Sequence, residues 1–592
     1  MFTPGTCIAT ATPSVLSSGI TGQAVNLNVI PEDIHHLIMT EVAGTSPMDV
    51  LNVAHSSVTL RDAALPFIYR NVTLTRGLKK SEEQKRYQAL VETFREDEHG
   101  HIAKHVRSIT VTNDVPSNDL IMILNKVAQH GNFQSLNWKT SAHMSRAVYD
   151  MIHATWPQLE LRVVTVDRQN AKNSSHRQMD MRLLSSPLLT ELTYVVYTEG
   201  SRVRELWRSD WPRLSQALAA GGNVRSLRLQ NRQDFDGYDG PKIVPDTERR
   251  KLPRLDLASG LRLPRLEELT IEDVRHYGDS IYLWDDDYCR MFLDSIDPSR
   301  LRKLDFGIDN PTNFFKNFAG LFPKLKTLSF GLLGREGTQQ PARMFLESLD
   351  ALERLDVSHS QYCIDDLWPA IEKHRNSLKT LILGPTSGHY NGFKHMGLSL
   401  LETIASTFPN LERLGWHAKC DTNASSNHLT MHICANYTFQ IDEKDLEVLS
   451  SIKLTKLDLY LHIPGKATDY CDQLIAGPMG IAHTPPLDKE RSVAAAMKIA
   501  EVISGSRQNV LQWLTLHLSR MTYGDRGDRW EVFSRLQIRR NGYTSQLRGH
   551  EWDVRGKTDW YGLPSLEEDL LFEEEEGATV FRKAHHAGSS RL

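Results

Sequence analysis

Apolar positions fall into two different rhythms along this chain. Between residues 30 and 70 they recur at the spacing of one helix face: Ile34, Leu37, Ile38 and Val42, then Val50, Leu51, Val53 and Ala54, then a stretch from Val58 to Leu65 that Pro66 is expected to stop. Pro31 suits the first turn of a helix, where its missing N–H has no partner to lose, and Glu32 and Asp33 suit the positive end of the helix dipole. Ser46, with Asp49 three residues on, supplies the second helix start. A further helical pattern places Tyr87, Leu90, Val91 and Phe94 on one face and closes in the polar run from Arg95 to His101.

From Val106 onward the rhythm changes to a short phrase, apolar-x-x-apolar-x-apolar. It reads Val106, Ile109, Val111; then Val224, Leu227, Leu229; then Leu266, Leu269, Ile271; then Leu301, Leu304, Phe306; then Leu325, Leu328, Phe330; then Leu352, Leu355, Val357; then Leu378, Leu381, Leu383. The central residues Leu304, Leu328, Leu355 and Leu381 stand 24, 27 and 26 residues apart, inside the leucine-rich-repeat period of about 20 to 29. Later copies centred on Leu414, Leu457 and Leu514 follow at 33, 43 and 57 residues, so insertions or degenerate copies are expected between them. Helical pieces such as Leu120, Leu124 and Val127, or Met344, Phe345 and Leu349, would cover the leucines from the other side. The expected fold class is α/β: a small N-terminal three-helix module followed by an irregular leucine-rich-repeat solenoid.

In a strand with this phrase the leucines point to the core and the residues between them to the opposite, concave face. Those positions include Lys303, Asp305, Arg354, Asp356, Arg413, His417, Lys456, Asp458, Trp513, Thr515 and His517. Their signs are mixed, so no charge-matched ligand is implied. Since binding energy concentrates in few residues, Arg354, Asp356, Arg413, His417, Lys456, Asp458 and Trp513 are the candidates for contact with a protein target.

Three helices in so short a stretch bury too little surface to be strongly stable alone, which makes docking to a partner physically sensible. The module that opens on Ile30-Pro31 resembles an F-box, a family that begins with a Leu-Pro-like pair. The resemblance implies that Ile30, Pro31, Ile34, Leu37, Ile38, Val50, Leu51 and Val53 insert into a Skp-family adaptor and, through it, join a cullin scaffold. The irregular repeats and the join Ile68-Tyr69-Arg70 resemble fungal members of the F-box and leucine-rich-repeat group. The implied function is the substrate-recognition subunit of an SCF-type ubiquitin ligase, with the repeats holding an unidentified protein target. The alternative is a leucine-rich scaffold whose N-terminal helices cap the repeats outside any ligase.

Composition narrows the classes. With 69 Lys and Arg against 73 Asp and Glu, the net charge of −4 gives no global pull toward nucleic acid or an acidic membrane. Six scattered cysteines without a close pair fit a reduced intracellular protein, cytoplasmic or nuclear, and no apolar run spans a bilayer. The expected organisation is a flexible leader over 1–24, the helical module over 25–75, a connecting helix and linker over 76–100, repeats over 101–520, and a cap with an acidic tail over 521–592. No phosphate loop, His-Glu-x-x-His site or nucleophile elbow is present, so a non-catalytic chain without cofactor or metal is expected. His99, His101 and His105 lie in a polar linker, Asp285 to Asp287 read as a surface insertion, and Arg249 to Arg254 resembles a nuclear import signal.

Overall fold

A computed structural model describes residues 30–45, 47–77, 81–113, 115–165, 178–200, 207–234, 254–273, 284–307, 311–331, 339–357, 364–383, 397–418, 420–422, 439–463, 489–504, 511–523, 529–540 and 552–559. The leader, the acidic tail and residues 249 to 253 of the basic run lie outside them. The chain divides into two units, the first ending at Ile68 and the second beginning at Tyr69.

The first unit holds α1 (Glu32–Thr45), α2 (Pro47–Ala54) and α3 (Val58–Ile68). Ser57 accepts a hydrogen bond from the Leu60 amide at 3.1 Å and so starts α3. The helix passes through Pro66 and ends at Ile68, beyond the expected stop. The missing N–H removes only one hydrogen bond in the final turn, which the helix tolerates. Its interior is small: Met39, Val50, Ala54, Leu60 and Ala64, with Val42, Ala43 and Phe67 packed against them. Such a core cannot take every apolar stripe its helices present. In α1 the inward residues are His35, Met39, Val42 and Ala43, which leaves Ile34 and Leu37 outside.

The second unit starts with β1 (Asn71–Thr75), α4 (Glu82–Glu96), β2 (Ser108–Thr112), α5 (Ser117–His130), β3 (Ser135–Lys139), α6 (Arg146–Thr155) and β4 (Glu160–Thr165). It continues through α7 (Met181–Leu184), β5 (Leu189–Gly200), β6 (Trp207–Ser209), α8 (Trp211–Gly221), β7 (Ser226–Asp234), β8 (Glu268–Asp273), α9 (Asp286–Ser295) and β9 (Lys303–Asp305). Then follow α10 (Thr312–Phe318), β10 (Thr327–Ser329), α11 (Gln339–Ser348), β11 (Arg354–Asp356), α12 (Ile364–Glu372), β12 (Thr380–Ile382), α13 (Leu398–Thr407) and β13 (Arg413–Ala418). Last come β14 (Cys420–Thr422), β15 (Phe439–Ile441), α14 (Glu443–Ser451), β16 (Lys456–Ile463), α15 (Lys489–Ser504), β17 (Trp513–Tyr523), β18 (Arg529–Arg540) and β19 (Trp552–Asp559).

Seventeen of these strands form one sheet, and β14 pairs with β15 in a separate ribbon. Parallel pairing runs in chain order from β1 to β17, the two antiparallel insertions β6 and β14–β15 aside. The result is a solenoid-like stack of strand–helix units in a mixed α/β fold. β1 belongs to this sheet, since Val72 and Leu74 pair with Ile109 and Val111 and are buried, although the pattern grouped it with the helical module. At the far end β18 and β19 add antiparallel to β17 and carry the sheet past residue 520.

Register builds a continuous leucine ladder: Leu192, Leu227, Leu269, Leu304, Leu328, Leu355, Leu381, Leu414, Leu457 and Leu514 are neighbours in successive strands. All are at most 1 % exposed. Helices cover this face with the residues their periodicity aims inward. In α11 these are Ala342, Phe345 and Leu346, whereas Met344, expected among them, is 51 % exposed. One helix turn places 342, 345, 346 and 349 on a single face and 344 on the other. Around α9 to α11 the layer is aromatic: Trp284, Phe292, Phe306, Phe314, Phe315, Phe318 and Phe345 pack edge-to-face, tilted or stacked, Phe314 on Phe318 at 4.2 Å.

Adjacent turns are also tied by polar contacts. Buried His374 accepts a hydrogen bond from the Leu352 amide at Nδ1 (3.3 Å) and donates from Nε2 to the Leu346 carbonyl (3.1 Å). That pairing needs the neutral imidazole, and burial pushes its pKa down. Asp285 caps α9 through the Tyr288 amide and pairs with Arg254, whose guanidinium lies 4.3 Å from the Tyr288 ring centre. The Asp285 to Asp287 run is thereby engaged in structure, with Asp286 accepting from Asn317 and Asp287 paired to Arg290.

Candidate functional site

Two surfaces, one in each unit, carry the residues nominated from the sequence. In the first unit four large apolar residues face solvent: Ile34 at 39 %, Leu37 at 62 %, Leu51 at 37 % and Val58 at 63 % exposure. The described residues contain seven such side chains, and these four fall within 25 consecutive positions. Isolated exposed leucines are ordinary, whereas four such residues on one small helical unit make it a candidate interaction surface. Pro31 is exposed, while Ile30, Ile38 and Val53 are half-buried.

Val50 is placed differently from the expectation: it is 2 % exposed and belongs to the small core. Residues 50 and 51 point about 100° apart on a helix, so α2 can bury one and present the other. Val58 was missed because it opens its helix, where periodicity has no preceding turn to reveal a face.

The second surface is the polar face of the large sheet, opposite the leucine ladder. Register arranges it in rows that cross the strands. One row runs Lys303, Thr327, Arg354, Thr380, Arg413, Lys456 and Trp513; the next runs Asp305, Ser329, Asp356, Ile382, Gly415, Asp458 and Thr515. A third joins His417, Tyr460 and His517. Thus all seven target-contact candidates lie on neighbouring strands.

They are not equally available. Asp458 and His417 are 2 % and 3 % exposed, whereas Arg354, Asp356, Arg413, Lys456 and Trp513 are half-buried. Asp458 accepts from Arg413 Nε at 2.7 Å and lies 3.6 Å from His517 Nε2. Burial alone would push the Asp458 carboxyl up, but the Arg413 guanidinium and the His517 imidazole hold it well below the usual carboxylate range. In return Asp458 raises the Arg413 pKa above its ordinary value, against burial. The His517 ring stacks on Tyr460 with centroids 4.5 Å apart and planes 13° off parallel. Gly415 gives Ile382 its place in the second row: a Cβ there would stand 2.7 Å from Ile382 Cγ2. Asp458 and His417 are therefore supports of the surface, and Tyr460, Ile382 and Gly415 join them through cross-strand pairings that no local pattern displays.

Farther toward β2 the same face mixes neutral and charged residues of both signs. Asn137 donates to Ser108 and Thr110 at 3.2 and 3.0 Å, and Arg162 pairs with Glu160 and Glu191 at 3.0 and 3.2 Å. Among the described residues no group of three or more His, Cys, Asp or Glu is arranged to hold a metal, and no helix is long and apolar enough to cross a membrane. No protein-family model matches the chain, and no curated protein matches it.

Proposed function

We propose that this chain is a substrate-recognition subunit of an SCF-type ubiquitin ligase: its N-terminal unit docks on a Skp-family adaptor, which links it to a cullin scaffold, and its sheet holds a protein target. The observation that carries the reading is the exposed set Ile34, Leu37, Leu51 and Val58 on a three-helix unit whose interior, among the described residues, holds five buried apolar side chains. A unit with so little core gains stability from a partner that covers its apolar face. The F-box resemblance at Ile30-Pro31 supplies the class of partner.

On this reading the chain contributes proximity. A target held on the sheet places its lysines at high effective concentration near a ubiquitin-charged enzyme carried elsewhere in the assembly. The test is co-purification of the full chain with a Skp-family adaptor, comparing wild type with Leu37→Asp. Stable association that the substitution abolishes supports the proposal. A chain that remains folded and never associates is a leucine-rich scaffold outside any ligase.

A further inference from the structure

The charges on the polar face, mixed when read along the sequence, are sorted by the register. In the strands from β9 to β17 the cations stand in one row and the acids in the next. The acids are also committed. Asp458 is buried against Arg413, and Asp305 accepts from the Gly307 amide of its own turn at 3.0 Å. Asp356 lies near enough to Arg413 to raise its pKa. On the flank, Glu353 is shared between Lys326 and Lys379 at 3.4 and 3.8 Å, so that carboxylate is also engaged. Lys303 and Arg354, by contrast, make no ion pair among the described residues. Trp513 closes the cationic row at β17.

We propose that this row binds an extended acidic segment of the target protein, with its carboxylates or phosphates against Lys303, Arg354 and Lys456 and an aromatic side chain against Trp513. Half-buried cations next to an indole favour charge-assisted contacts at one end and apolar burial at the other. From β9 to β17 there are six strand spacings, about 29 Å at about 4.8 Å each, which an extended chain covers in about nine residues. The Arg413–Asp458 pair lies within the row as a fixed support. The proposal rests on the reading that this sheet holds the target.

Fluorescence anisotropy with the purified full chain and no adaptor tests it. The probes are labelled peptides of about twelve residues, long enough for the row: one rich in Glu with a single Trp, one with phosphoserine in place of Glu, one with Lys in place of Glu, and an RNA oligonucleotide. The acidic peptides are expected to bind and to be weakened by added salt. The pair Lys303→Glu with Arg354→Glu should weaken them about tenfold or more, and the milder Arg354→Gln by less. Trp513→Ala should weaken the Trp-bearing peptide and leave one without Trp unchanged. Binding by the phosphoserine peptide alone assigns the anion to phosphate and sustains the proposal. Equal binding of Lys and Glu peptides, unchanged binding by folded charge-reversed chains, or tighter binding of RNA than of either acidic peptide overturns it. Adaptor co-purification on the same charge-reversed chain keeps the two readings separate: peptide loss with adaptor retained concerns this row alone, and adaptor failure with peptide binding intact concerns the ligase reading alone.

Discussion

His374 shows how one buried side chain sets a pH dependence. Its lowered pKa means that the unfolded chain takes up a proton, as pH falls through the ordinary histidine value of 6.5, before the folded chain does. Its contribution is therefore present above that value and lost as pH decreases toward the folded pKa. Thermal melts across this range should show a fall in Tm for wild type that is shallower in His374→Gln; identical pH profiles would remove the role. Asp458 acts in the same direction at lower pH, because its depressed pKa contributes stability that is lost as the carboxylate range is crossed. Removing its closest partner by Arg413→Ala leaves the buried charge with His517 alone, 3.6 Å away, and should cost about 3 to 5 kcal/mol in denaturant unfolding. A change within 1 kcal/mol would mean that water reaches Asp458 after all. Gly415→Val should also destabilise, since its side chain must displace Ile382. None of these three roles is visible in local sequence: His374 and Asp458 become special only through the strands and turns that pack against them.

At the scale of elements, three helices at the N-terminus and the repeating strands were legible because each has a period of its own. What periodicity could not decide was which side of a helix faces inward. In α1 the stripes at 34, 37, 38 and at 35, 39, 42, 43 are both partly apolar, and the core takes the one containing Met39. Substitutions distinguish the two. Leu37→Asp should change stability by about 0.5 kcal/mol or less while removing association, and Val50→Asp should unfold the unit by burying a charge. Circular dichroism on both variants checks this; equal unfolding would mean that Leu37 is a core residue. The strands β3 and β5 carry the phrase with an aromatic at its end, as Phe133, Leu136, Trp138 and Leu189, Leu192, Tyr194, whereas β4 departs from it with Gln158 three residues before Leu161. β5 also inserts Thr190 as a bulge into its pairing with β4, which shifts the register between the two strands. The interval from Ile109 to Leu227 is thus filled by ordinary turns of the same sheet.

At the scale of the whole molecule, the sheet of the second unit is sustained by neighbour-to-neighbour pairing, so its end matters. β18 and β19 cover the open edge of β17 with antiparallel strands. Truncation after Tyr523 should expose that edge and drive self-association, measured by light scattering. A truncated chain that stays monodisperse would deny them the capping role. The sequence alone could list the polar-face residues but not rank them, because exposure depends on pairings between strands separated by up to 57 residues. Docking by the first unit is tested by the affinity of the purified full chain for a Skp-family adaptor, measured by calorimetry. A one-to-one complex with a Kd of about a micromolar or tighter is expected, lost in Leu37→Asp and retained in the Lys303→Glu, Arg354→Glu chain. No heat of binding from a folded wild-type chain, or equal affinity in Leu37→Asp, would contradict it.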